Sequence, residues 1–170
     1  MVYTALFAAL CCVVTACIAI PLPYGYVNAG DIAVLLAGFC LGPLFGGIAA
    51  GLGAALADIL LGFAIYAPAT ALIKFAVALL AALLFRSLSH LSAKKGARVL
   101  FGAISCLVGE AVMVLGYFLY ELLLYGPGGA LLTVPGNTLQ GGICALGALI
   151  LMSSLAALPP IKRLFPDLEV

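Results

Sequence analysis

"RSLSHLSAKKGAR", residues 86–98, is the one properly hydrophilic loop in a chain that is otherwise apolar almost from end to end. The 170 residues are 66% hydrophobic and 8% charged, and the mean hydropathy of +1.35 lies far outside the range of a soluble domain of this length. A helix needs about 20 mostly apolar residues to cross the ~30 Å hydrocarbon layer. Working outward from the loop, the apolar runs make two groups, 2–20, 31–43, 45–64 and 68–86 before it, 99–125 and 135–157 after it. The expectation is an all-α integral membrane protein, a single domain of six transmembrane helices over residues 1–170.

The loop also fixes orientation. With six alternating spans, residues 86–98 and the C-terminal tail share a side and hold six of the seven Lys and Arg: Arg86, Lys94, Lys95, Arg98, Lys162 and Arg163. The connections 21–30, 64–68 and 126–135 hold none. By the positive-inside rule both termini and the basic loop face the cytoplasm of a prokaryotic cell. The first 20 residues resemble a secretory leader and "VTAC" (14–17) a lipoprotein cleavage box, but an n-region without Lys or Arg, followed by five more runs, predicts a first transmembrane helix.

Several function classes are excluded or left without support. Net charge is +1 and no basic run exists, so nucleic acid is not an expected partner. The six cysteines lie in apolar runs with no metal-type spacing, and the lone histidine, His90, sits in the polar loop; neither a metal nor any other cofactor is expected. No phosphate-binding glycine loop, zinc-protease motif or nucleophile elbow is present, and "NAGD" (28–31) lacks the first glycine of an intramembrane aspartyl protease motif. The chain is not expected to be an enzyme.

Chemistry therefore rests on the few polar groups within the spans, each costing about 2.5 to 3.5 kcal/mol on insertion scales. In the fifth run Glu110, Met113 or Val114, Tyr117 and Glu121 recur at helical spacing, within about 20 to 60° of one line. That stripe predicts a cavity wall. Asn137 and Gln140 share a face at the start of the sixth run, as a helix cap or as part of a site. Asp58 and Lys74 flank a short outer connection; they are an ion-pair candidate, with direct contact of Lys74 to a ligand as the other reading. Asp31 reads as the N-cap of the second run. Lys74, Tyr117, Glu121, Asn137 and Gln140 fall on one level, beneath connections carrying Tyr24, Tyr26, Asn28 and Tyr66, with Thr70 counted among them. Such a pocket suits a small planar polar molecule, stacked on tyrosines and read by amides and carboxyls. In the third run, Gly47, Gly51 and Ala55 line one face that admits a close neighbour.

Four segments, "YVNAGDIAVLLAGFCLGP" (26–43), "GLGAALADILLGFAIYAPATALIK" (51–74), "GEAVMVLGYFLYE" (109–121) and "VPGNTLQG" (134–141), resemble the substrate-binding S components of energy-coupling factor (ECF) vitamin transporters. The resemblance implies a substrate site near the outer surface under the loop after helix one. It also implies work with a transmembrane coupling (T) subunit and two ATPase subunits in an ABC-type importer. The family's Ala-x-x-x-Ala docking pattern on helix one matches Ala5 and Ala9. The look is closest to members assigned to hydroxymethylpyrimidine or B6 vitamers. A stand-alone secondary carrier for a small polar solute and a non-transporting membrane assembly protein are the alternatives.

Overall fold

The computed structural model describes residues 1–21, 25–92 and 94–165, with Lys162 described in its backbone alone; Tyr24 lies outside the described residues. Helix α1 (Val2–Cys17) leads into an antiparallel ribbon of strands β1 (Ala19–Pro21) and β2 (Tyr26–Asn28), in which Ala19 faces Asn28 and Pro21 faces Tyr26. Helices α2 (Gly30–Leu60), α3 (Ala67–Ser89), α4 (Lys95–Leu155) and the short α5 (Pro159–Leu164) follow. The small ribbon departs from an entirely helical chain. It carries Tyr26 and Asn28.

Helices α2, α3 and α4 are each long and apolar enough to cross a membrane. A straight 61-residue helix such as α4 would run ~90 Å, about three times the hydrocarbon thickness, so it has to bend. It does so at Gly126, with φ 73° and ψ −178°, and α2 does the same at Gly42, with φ 80° and ψ 176°. Proline follows each glycine. Pro43 and Pro127 disfavour helical ψ in the preceding residue, glycine alone takes the positive φ without strain, and each proline begins the next arm where its missing N–H costs least.

This arrangement corrects one expectation. Residues 127–135 were expected in an outer loop, yet they are helical, because "GPGG" ends one arm and starts the next at once. Pro135 lies inside the second arm.

Helix α2 packs between α1 and α3, and α3 also packs on α4. Small residues set the spacing: a Cβ on Gly53 would stand 2.3 Å from the Ala8 carbonyl oxygen of α1, and one on Gly51 would stand 2.5 Å from that of Ala71 in α3. The core centres on Leu35, Phe39, Val77, Phe85, Met113 and Met152. Phe39 and Phe85 meet edge to face at 5.3 Å, a geometry worth about 0.5 to 1.5 kcal/mol beyond area burial. Leucines such as Leu72, Leu123 and Leu132 point outward, 73%, 84% and 69% exposed. In a membrane protein such a surface meets lipid.

At one end, Phe165 packs edge-on against Tyr3 and Phe7, at 5.5 and 6.1 Å, bringing the two ends of the described chain together. His90 is exposed beyond the last residue of α3. Five cysteines are buried as small apolar groups; Cys17, where α1 ends, is exposed.

Candidate functional site

The ribbon and four helical segments converge on a buried polar knot. Asp31, in the first turn of α2, is fully enclosed, and Lys74 of α3 is 3% exposed. The Lys74 ammonium donates to Asp31 Oδ1 at 2.5 Å, and Gln140 Nε2 from the second arm of α4 donates to Asp31 Oδ2 at 2.6 Å. Gln140 Oε1 in turn accepts the Asn28 backbone N–H at 2.7 Å, while Asn28 Oδ1 accepts the Gly30 N–H at 2.8 Å. Both oxygens of the carboxylate are thus satisfied, as a buried ion pair requires if its attraction is to offset desolvation. Lys74 also lies 5.2 Å from the centre of the Tyr117 ring.

The ion pair corrects the sequence reading, which matched Lys74 with Asp58. Asp58 instead accepts the Tyr26 hydroxyl on Oδ1 at 2.5 Å, and the lysine turns to the carboxylate held in the first turn of α2. Asp31 is not the N-cap; Ala29 occupies that position and makes no side-chain cap bond.

Above the knot lies a cavity. Its walls include Thr15, Asp58, Thr70, Lys74, Tyr117, Glu121, Asn137 and Gln140, and Tyr26, Asn28, Phe63 and Tyr66 complete the lining. Its free volume is about 30 Å³, whereas one water needs about 10 to 15 Å³ on the same measure. The space is narrow, too small for a ring-sized molecule. Tyr26 meets Phe63 with tilted rings at 5.0 Å, and Tyr66 meets Tyr120 edge to face at 5.7 Å. Glu121 accepts the Tyr66 hydroxyl at 3.2 Å on one oxygen and the Thr133 hydroxyl on the other. Thr70 and Tyr117 share a hydrogen bond of 3.0 Å. Burial and the Asp58 carboxylate together push the Tyr26 phenol above its ordinary range, so it serves as a donor across the physiological pH range.

The family model described as "ECF-type riboflavin transporter, S component" matches residues 1–157. The chain belongs to that family. It is also similar to an uncharacterised protein of Pyrococcus woesei, 35% identical over 159 residues that cover 92% of this chain and 98% of the relative. As an ECF S component, the chain is a membrane-type substrate-binding subunit of an importer, from a family of transport proteins rather than enzymes, and the family implies T and ATPase subunits as partners and a small molecule as substrate.

The narrow cavity of this S component brings together nine residues singled out from the sequence: Tyr26, Asn28, Tyr66, Thr70, Lys74, Tyr117, Glu121, Asn137 and Gln140. It does not include Glu110. The carboxyl lies seven residues beyond Tyr117, about 10 Å along the helix, 4% exposed and packed beside Gly141, with neither oxygen hydrogen-bonded. As site residues, Asp31, Thr15, Phe63 and Thr133 were absent from the sequence reading. Asp31 carried a usable signal, as one of few carboxyls near an apolar run that also has a single lysine elsewhere to pair with. Phe63 and Thr133 carried none. Ala5 and Ala9 lie on the exposed side of α1, and no group of three metal-ligating side chains occurs among the described residues.

Proposed function

We propose that this S component captures a small planar heterocyclic vitamin or vitamin precursor in the cavity beneath the ribbon and hands it inward through its coupling subunit. The observation that carries the reading is the cavity itself, where two carboxylates, amides, hydroxyls and tyrosine rings from four helices and the ribbon surround one space. Hydroxymethylpyrimidine or a B6 vitamer is the favoured substrate, because a single ring asks the least expansion of so small a volume. Riboflavin is the second reading, favoured by the description of the matching family.

The membrane arrangement proposed with it has six crossings, the arms on either side of Gly42 and Gly126 counting separately, in a prokaryotic plasma membrane with both termini cytoplasmic. Support comes from charge and distance: Tyr66 at the start of the 23-residue α3 lines the cavity, and the basic connection follows its far end, ~35 Å away. Positive charge inside leaves the cavity outside. Ala5 and Ala9, exposed on α1, are the proposed contact with the T subunit, where small side chains let helices approach.

The test is binding by purified protein without ATP, read by thermal shift for hydroxymethylpyrimidine and pyridoxine and by fluorescence quenching for riboflavin. One of them is expected to stabilise the protein, with Asn137→Ala and Glu121→Ala each weakening its binding about tenfold. Unchanged affinity in both variants would remove the cavity as the site. Ala5→Leu with Ala9→Leu is expected to abolish uptake by the assembled importer and leave binding intact; normal uptake would move the docking face elsewhere.

A further inference from the structure

The cavity's hydrogen bonds leave one carboxylate oxygen conspicuously unused. Asp58 is 3% exposed and lines the cavity, and its Oδ1 holds the Tyr26 hydroxyl; its Oδ2 makes no hydrogen bond, the Thr70 hydroxyl that approaches this carboxylate being bonded at 3.0 Å to Tyr117. Glu121 differs, since both of its oxygens already accept hydroxyls. A buried carboxylate oxygen left without a donor is costly, and a ligand that brings an N–H or O–H to that atom removes the cost.

Charge narrows the ligand further. Among the described residues lining the cavity Lys74 is the one base, and Asp31 already holds it at 2.5 Å. The lining carboxylates Asp58 and Glu121 remain. At the helix starts, the Gly30 N–H at the head of α2 is taken by Asn28, and Pro68 supplies no N–H in the first turn of α3. A phosphate or carboxylate entering this space would meet two acids and no uncommitted cation.

We propose that Asp58 determines which molecules the site accepts. Its Oδ2 takes a hydrogen bond from a donor on a neutral or cationic heterocycle, and the cavity rejects phosphorylated and carboxylated forms. The proposal rests on the reading of this cavity as the substrate site, and it assigns Asp58 a contact with substrate where sequence suggested an ion pair alone.

Matched pairs test it: riboflavin, pyridoxine and hydroxymethylpyrimidine, each against its own phosphate ester, titrated into the purified full chain. The parent compound that binds is expected to do so at least about tenfold more tightly than its ester, the scale of one hydrogen bond to a charged group. Asp58→Asn keeps an oxygen for Tyr26 but turns the free atom into a donor. It is expected to weaken parent binding about tenfold or more and to narrow the gap to the ester. Equal or tighter binding of the ester by the unmodified protein would overturn the proposal, and this comparison needs no variant to fold. Full parent affinity in Asp58→Asn, with Asn137→Ala weakened, would overturn it and leave the cavity standing. Full affinity in both variants would overturn the cavity reading and the proposal together.

Discussion

Lys74 is enclosed by protein, and its ammonium has only Asp31 as a carboxylate partner within bonding distance among the described residues. Lys74→Met is expected to cost about 3 to 5 kcal/mol of stability, because it strands a buried charge on Asp31. Adding Asp31→Asn is expected to restore much of that loss, since no lone ion remains. Melting curves of Lys74→Met, Asp31→Asn and the double variant in detergent check both statements, and additive losses would contradict the pairing. The same pair marks the limit of what sequence could tell. Asp31 at the head of an apolar run reads identically whether it caps its own helix or meets a lysine 43 residues on. By contrast, the stripe Tyr117 to Glu121 was legible, since helical periodicity alone puts those residues on one side. Periodicity gives direction but no depth, which is why Glu110 was grouped with a cavity that does not extend down to it.

At the scale of elements, the bends matter more than the helices. Gly42→Ala and Gly126→Ala both force a residue with a Cβ into positive φ, a strain of about 1 to 2 kcal/mol. The cost at Gly42 is expected to be at most slightly larger, because the new methyl would lie 2.5 Å from the far end of the flexible Arg86 side chain, which can shift, while at Gly126 nothing stands within 4 Å. Thermal stability of the two variants ranks them; a greater loss at Gly126 would mean that the second bend is fixed by contacts beyond its own backbone. Boundaries here were legible only in part. Glycine and proline mark both bends in sequence, but the same residues also make loops: Pro127 was counted as a loop residue although it opens a helical arm, and Pro135 was read as the start of the sixth run although it lies within that arm.

For the whole molecule, the apolar content made membrane residence plain, and the split of charge between two faces gave an orientation that remains a proposal to be tested. The narrowness of the site was illegible, because free volume depends on how the ribbon settles against helices far away in sequence. That narrowness has a consequence in time. With about 30 Å³ free, a ligand of the proposed size fits only once the lining moves apart, a motion expected on the microsecond to millisecond scale. Stopped-flow traces are expected to quicken with ligand concentration and then level off at the opening rate. Tyr26→Phe, which removes the bond to Asp58, is expected to raise that plateau; a rate climbing without limit would point to an entrance that bypasses the ribbon. Exit is subject to the same motion. A captured molecule leaves no faster than the lining opens, so residence time, and with it the interval in which the loaded subunit can find its partner, is governed by a latch of only a few hydrogen bonds.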